Sequence, residues 1–185
     1  MARRTVHLSN FSNDWYDRGA PRWKELCWLF VSAAFFRHPL SLCNGAKIWW
    51  LQLFGAKIGK GVLIKQQVQI KFPWKLSIGD YSWIGERVWL DNLAQVDIGP
   101  NVCISQGAYI FTGNHDYKKT AFDLIIKPVA IENGAWVGAK AVVCPGVTVG
   151  SHAVLTAGSV ATGDLEAYGI YQGNPAARVR ERVMN

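Results

Sequence analysis

A chain of 185 residues, half of them apolar, has the length of about one domain and ample material for its core, so no second domain is required. The formal net charge of +7 suits nucleic acid, an anionic membrane surface or a phosphorylated small ligand, but the basic residues are scattered, cluster only at Arg3 and Arg4 and over 178–182, and accompany no nucleic-acid motif, which sets nucleic acid aside. Cys27, Cys43, Cys103 and Cys144 form neither a CxxC pair nor a zinc spacing and read as reduced thiols of a cytoplasmic protein.

Residues 1–23 carry Ser, Asn, Asp, Gly and Pro without a sustained period, which predicts a poorly structured arm lying along the body. The early residues lack the apolar centre of a signal peptide, and the most apolar run, 26–36, is shorter than the ~20 residues that span a bilayer, so a soluble or peripheral protein is expected. Across 22–54 the apolar residues crowd at helix-compatible spacing, interrupted at Pro39 and Gly45, which predicts helices over 23–37 and about 40–54. These helices would cover the open end of the repeats that follow. Trp23, Trp28, Trp49 and Trp50, with Lys24, Arg37 and Lys47, could also face a membrane interface.

From Ile58 to Leu165 an aliphatic residue recurs every sixth position, with a small or β-branched residue four places later. The series runs Ile58, Ile64, Ile70, Ile78, Ile84, Leu90, Ile98, Ile104, Ile110 and then Ile131, Val137, Val143, Val149, Leu155, Ala161. A period of six fits neither an amphipathic helix nor a long strand. It fits a chain that turns a corner after every side of a triangle and stacks its coils as parallel strands, both repeated positions pointing inward. The coil is twenty residues from Ile58 to Ile78 to Ile98, two extra at one corner, and eighteen from Ile131 to Val149. Glycine follows the aliphatic residue at Gly59, Gly79, Gly85, Gly99, Gly138 and Gly150, where it is expected to supply backbone angles that other residues resist. The predicted organisation is an arm and capping helices over 1–57, a parallel β-helix over 58–166 and a tail over 167–185 whose end is helix-compatible.

The phase is lost after Ile110 and resumes at Ile131, so about 112–128 leave the coil as a long excursion of the kind that carries function. It opens with Phe111-Thr112-Gly113-Asn114-His115-Asp116. His115 is the candidate general base: a neutral imidazole accepts a hydroxyl proton, and a nearby carboxylate or carbonyl fixes its tautomer, with Asn114 and Asp116 as loop support. His7, His38 and His152 read as surface residues, and no GxSxG motif supports a serine nucleophile.

The repeats, the Thr-Gly-Asn-His-Asp loop, Gly134-Ala-Trp-Val-Gly138, Pro145-Gly-Val-Thr-Val-Gly150, Ala157-Gly-Ser-Val-Ala-Thr162 and Gly173-Asn-Pro-Ala176 together resemble the left-handed β-helix acyltransferases that use acetyl-coenzyme A. Phe54-Gly-Ala-Lys-Ile-Gly59, Pro73-Trp-Lys-Leu76, Gly79-Asp-Tyr-Ser-Trp83 and the ending from Asn174 to Val183 resemble the colanic acid biosynthesis acetyltransferase branch. The resemblance implies an all-β dominated, left-handed parallel β-helix with an N-terminal helical cap and a short C-terminal helix. It also implies direct acetyl transfer to a sugar hydroxyl of a lipid-linked or nucleotide-linked exopolysaccharide precursor. His115 would be the base, no metal would be used, and a homotrimer would hold the donor between neighbouring coils. Ala139 and Ala157 match positions along the pantetheine arm, Thr162 and Arg180 match positions near the nucleotide, and Trp136 could flank the same groove or face a neighbouring subunit.

Two departures bear on the ligands. Gly163 stands where related enzymes often carry lysine, which leaves phosphate binding to Arg178, Arg180, Arg182 or Lys140. Gly85 and Leu93 stand where the galactoside and maltose acetyltransferases carry asparagine and aspartate, which implies a different acceptor; Asp91 and Asn92 are the nearest polar candidates to hold it. A zinc carbonic anhydrase on the same fold would need three histidine ligands, and only His115 and His152 lie in the coil region. A β-helix scaffold without activity is the non-enzymatic alternative.

Overall fold

The structure, a computed structural model, describes residues 4–41 and 43–185; Arg3 of the basic pair and Leu42 of the expected second helix lie outside the described residues. From Lys57 the chain winds through short strands that stack into three sheets of five, seven and five strands, one on each face of a triangular coil. The register follows the hexads. Parallel partners are twenty residues apart at Lys57↔Ser77, Leu63↔Trp83 and Gln69↔Trp89, and eighteen apart at Ala130↔Thr148, Trp136↔Val154 and Val142↔Val160. Ile64, Leu90, Ile104, Ile110, Val137 and Leu155 are buried on the axis with the small residues Val88, Ala108, Ala141 and Ala153 between them.

The glycines after the aliphatic positions serve space and not conformation. Left-handed backbone falls two residues later, where Tyr81, Arg87, Asn101, Lys140 and His152 take φ between 55° and 60°. A Cβ at Gly79 would lie 2.5 Å from Pro100 N, and one at Gly138 would lie 2.6 Å from Ala157 N, so only glycine lets the next coil stack at these points.

Extra chain leaves the coil at one edge, between the third and first faces. In successive coils it is the 3-10 turn Pro73–Lys75, the stretch after Trp89–Asp91, and the excursion before Val129–Ile131. Parallel pairing is interrupted there and side chains restore it. Asn92 accepts from Lys71 N and Phe72 N and donates to Phe72 O and Lys75 O, while Thr112 Oγ1 accepts from Ala94 N at 2.8 Å.

Helices α1, Arg22–Phe35, and α2, Asn44–Leu53, close the first coil as expected. Trp28, Phe36, Leu51 and Phe54 continue the core, and polar side chains meet the open strand edge. Trp28 Nε1 donates to Ile70 O at 2.8 Å, Asn44 bridges Val62 O and Ile64 N, and the buried Lys47 ammonium donates to Ile64 O and Lys65 O. Burial lowers the pKa of that ammonium, and the two carbonyls replace its lost water.

Two further expectations are corrected. The tail end is not a helix: Ala176–Glu181 is a strand antiparallel to Gly169–Gly173. Without it the seven-stranded sheet would end in an open row of backbone groups, and pairing that edge outweighs local helix propensity. Nor is the arm poorly structured. A 3-10 turn, Leu8–Asn10, is followed by ties to the body in which Tyr16 OH donates to Leu93 O at 2.6 Å, Trp74 Nε1 to Arg18 O at 2.7 Å, and Lys75 Nζ to Asp17 O at 2.8 Å. Burial pushes the Tyr16 phenol up to about 12, so it stays protonated and keeps donating.

Candidate active site

The excursion is a β-hairpin in which Gly113–His115 pairs antiparallel with Leu124–Ile126, setting His115 opposite Leu124. Its turn is held by Asp116 N donating to Asp123 O, by the Asp116 carboxylate accepting from Lys118 N, and by a Lys119–Asp123 ion pair. Asn114 Oδ1 accepts from His115 N at 2.8 Å. Asn114 and Asp116 thus shape the loop through its backbone and leave the imidazole to other partners.

Those partners define its chemistry. His115 Nδ1 lies 2.9 Å from Phe122 O, and a carbonyl only accepts, so Nδ1 carries the hydrogen and the neutral ring keeps its lone pair on Nε2. Phe122 stacks on the imidazole with centroids 4.4 Å apart and 9° between planes, and Phe11 of the arm packs at 5.5 Å. Phe122 has φ of 54°, a left-handed conformation costly for a side chain of its size, retained at the residue whose carbonyl orients the histidine.

His115 lines a cavity of about 390 Å³ walled by Phe11, Tyr16, Arg18, Glu25, Leu93 and Leu124. Arg18, Glu25, Lys71 and Phe72 also line a second cavity of about 550 Å³, lying between α1 and the third face and bounded by Arg22, Trp28, Arg37, Trp89 and Asp91. Both volumes fall within the range of small-molecule sites, and the shared walls make them neighbours. Leu93 presents an apolar wall beside the hairpin, and a Cβ at Gly113 would collide with it.

Asp91 lines the larger cavity, where one oxygen pairs with Lys71 Nζ at 2.8 Å and the other accepts from Tyr109 OH at 3.3 Å; burial and that carboxylate push the Tyr109 phenol up to about 12. Asn92 is fully buried with its amide committed to the backbone bonds described above, which corrects the expectation that it holds an acceptor.

Trp136, Ala139, Ala157, Thr162 and Arg180 line neither cavity. Ala139 and Ala157 sit at another edge of the coil, joined through Gly158 N to Ala139 O, and Trp136 donates from Nε1 to Ser105 Oγ on an exposed face. Thr162 and Arg180 are exposed. Of the basic candidates for phosphate, Arg178 pairs with Glu166 and Arg182 donates to the carbonyls of Gly134 and His152, which leaves Arg180 and Lys140 with neither an ion pair nor a side-chain hydrogen bond among the described residues. Phe11, Tyr16, Arg18, Glu25 and Lys71 were not foreseen; the aromatics Phe11, Trp15 and Tyr16 in a largely polar arm were the one signal available.

Solved structures share this architecture. The hexapeptide-repeat acetyltransferase VCA0836 from Vibrio cholerae O1 biovar eltor, in complex with acetyl-coenzyme A, superposes with a TM-score of 0.79 at 23% identity over 88% of this chain and 89% of its own. Galactoside acetyltransferase in complex with coenzyme A gives a TM-score of 0.77 at 22% identity, covering 86% and 81%. The fold is therefore the left-handed parallel β-helix of those enzymes. In sequence, the chain is 39% identical over 176 residues to the protein named "Putative colanic acid biosynthesis acetyltransferase WcaF" of Escherichia coli K12, covering 95% of this chain and 97% of that one. The chain belongs to the WcaF family of acetyltransferases. No protein-family model matches it. Within this acetyltransferase, among the described residues, no helix is long and apolar enough to cross a membrane.

Proposed function

We propose that this acetyltransferase moves the acetyl group of acetyl-coenzyme A to a hydroxyl of a sugar in an exopolysaccharide precursor, with His115 as general base. The observation that carries the reading is the Nδ1 contact to Phe122 O, which leaves the Nε2 lone pair available at the cavity. Nε2 takes the proton of the acceptor hydroxyl as its oxygen attacks the thioester carbonyl. The tetrahedral adduct collapses, the sulfur leaves, and the imidazolium returns the proton to it as the free thiol. The Phe122 carbonyl stays bonded to Nδ1–H throughout and favours the charged ring between those steps.

The donor residues belong, on this reading, to a groove completed by a neighbouring subunit of a homotrimer. Their position away from the His115 cavity supports that arrangement, and the small side chains of Ala139 and Ala157 leave room for a thread-like ligand. Sedimentation at the mass of one 20.6 kDa chain would count against it. Melting with and without acetyl-coenzyme A, followed by thiol release with a panel of sugars and nucleotide sugars, tests the whole proposal. Donor at ~100 times its dissociation constant adds about 2.7 kcal/mol of stability. Arg180→Ala should weaken donor binding about tenfold through loss of a charge-assisted hydrogen bond. Absence of any shift at saturating donor would favour a scaffold.

The helical cap supports contact with a membrane, where a lipid-linked acceptor resides. The cap exposes Trp23 and Phe30 of α1, with Phe30 at 74%, and Trp49 and Leu53 of α2, while the exposed Leu26, Leu29, Arg22 and Arg37 also line the larger cavity. Indoles, aliphatics and a cationic rim are the composition of an interfacial surface. The protein should co-sediment with vesicles containing phosphatidylglycerol, and the double change Trp23→Glu, Phe30→Glu, at residues that line neither cavity, should weaken binding by about tenfold or more. Equal sedimentation of both proteins would remove this surface from the proposal.

A further inference from the structure

We propose that Glu25 reads the acceptor, taking a hydrogen bond from a hydroxyl of the sugar other than the one acetylated. The inference rests on the sugar-transferase reading above and assigns a residue that neither the repeats nor the hairpin supplies. Glu25 lies in the first turn of α1 and lines both cavities, at their junction and in the same chamber as His115. One carboxylate oxygen accepts from Arg18 Nη1 at 2.9 Å. The other, Oε1, is buried and is the one buried side-chain nitrogen or oxygen among the described residues without a hydrogen-bond partner.

Native proteins satisfy buried polar groups almost without exception, because an unmet acceptor loses its hydration and gains nothing in return. The neighbouring polar groups show how thoroughly that holds here. Tyr16 OH is taken by Leu93 O, Lys71 by Asp91, Lys75 by Tyr16 OH and two carbonyls, and Arg18 by Glu25 itself. Glu25 lines the ligand-sized chamber that also holds a histidine with a free lone pair, and its second carboxylate oxygen, covered and unmatched behind that wall, is matched by a ligand that donates as it seats against the residue. Oε1 only accepts, so the group it recognises is an O–H, and a pyranose presents several next to the one that reacts. Such a contact rejects an analogue lacking that hydroxyl, since the oxygen is then left buried and unmet.

Glu25→Gln tests this with little change of shape. Arg18 can only donate, so the new amide must turn its oxygen to Arg18 and its NH₂ to the chamber, converting an acceptor into a donor while keeping the tie to the arm. Methyl gluco-, galacto- and fucopyranosides and their monodeoxy derivatives serve as probes, with binding read by saturation-transfer NMR and the melting shift with acetyl-coenzyme A as the donor control. The expected result has three parts: a ligand-free variant that melts no lower than the wild type with an unaltered donor shift; pyranoside affinity about tenfold or more weaker; and, in the wild type, one deoxy position beyond the acetylated one that costs as much. Equal pyranoside binding by both proteins, binding of no pyranoside by the wild type, indifference to every such deoxy position, or a variant that melts distinctly lower each overturns the assignment. A retained donor shift with pyranoside binding indifferent to Glu25 would remove this inference alone. Loss of the donor shift in the wild type would instead remove the transferase reading beneath it.

Discussion

Replacing His115 with alanine is expected to lower acetyl transfer by about two to four powers of ten while leaving affinity for acetyl-coenzyme A unchanged. The split follows from the geometry. The imidazole is held between Phe122 and Phe11, is oriented through Nδ1 with Nε2 left free, and lines the chamber in which an acceptor hydroxyl would lie; the proposed donor residues Ala139, Ala157 and Arg180 line other surfaces. Without the base the hydroxyl must attack with its proton in place, a loss confined to the chemical step. Single-turnover thiol release alongside the melting shift with donor separates the two quantities. Unchanged turnover would end the assignment, and loss of both together would point to collapse of the hairpin.

Phe36→Ala should have the largest effect on the fold itself. Phe36 is fully buried where the helical cap meets the first coil and packs on Trp28 with centroids 5.1 Å apart. Removing a buried phenylalanine costs about 3–5 kcal/mol, which for a chain of 185 residues corresponds to melting about 6–20 °C lower. The control is Phe30→Ala one helix face away, exposed and expected to move melting very little. Equal melting of the Phe36 variant and the wild type would mean that the helices fold apart from the coil.

The coil was legible because its core period belongs to the chain alone: within each coil a buried position is named by the residue six before it, the phase shifts only at the corner that carries extra residues, and the strands pair at the coil length that results. The hairpin was legible for the converse reason, as the place where the period stops and a histidine begins. The helix ends came within a few residues, at Arg22–Phe35 and Asn44–Leu53. What failed depended on distant partners. The ending from Pro175 reads locally as helix and becomes a strand because an open sheet edge waits for it. Asn92 was noticed for its polarity, but its burial against the backbone of Phe72 and Lys75 is a property of the neighbouring coil. Glu25 and Tyr16 reach the chamber only once the arm crosses the body, and the Tyr16–Leu93 contact joins residues 77 apart in sequence. No local pattern encodes such a meeting.

The edge at which the extra residues leave the coil has a wider implication. Each insertion there begins and ends on strands whose inward residues are unaffected by what lies between, so that edge can be lengthened or exchanged without disturbing the stack. Lys71, Phe72, Leu93 and His115 all come from it, while Ala139 and Ala157 sit at a different edge. The molecule is thus modular along its own perimeter: one rim can be rewritten to suit new acceptors while the rest of the prism, and whatever it holds, stays constant.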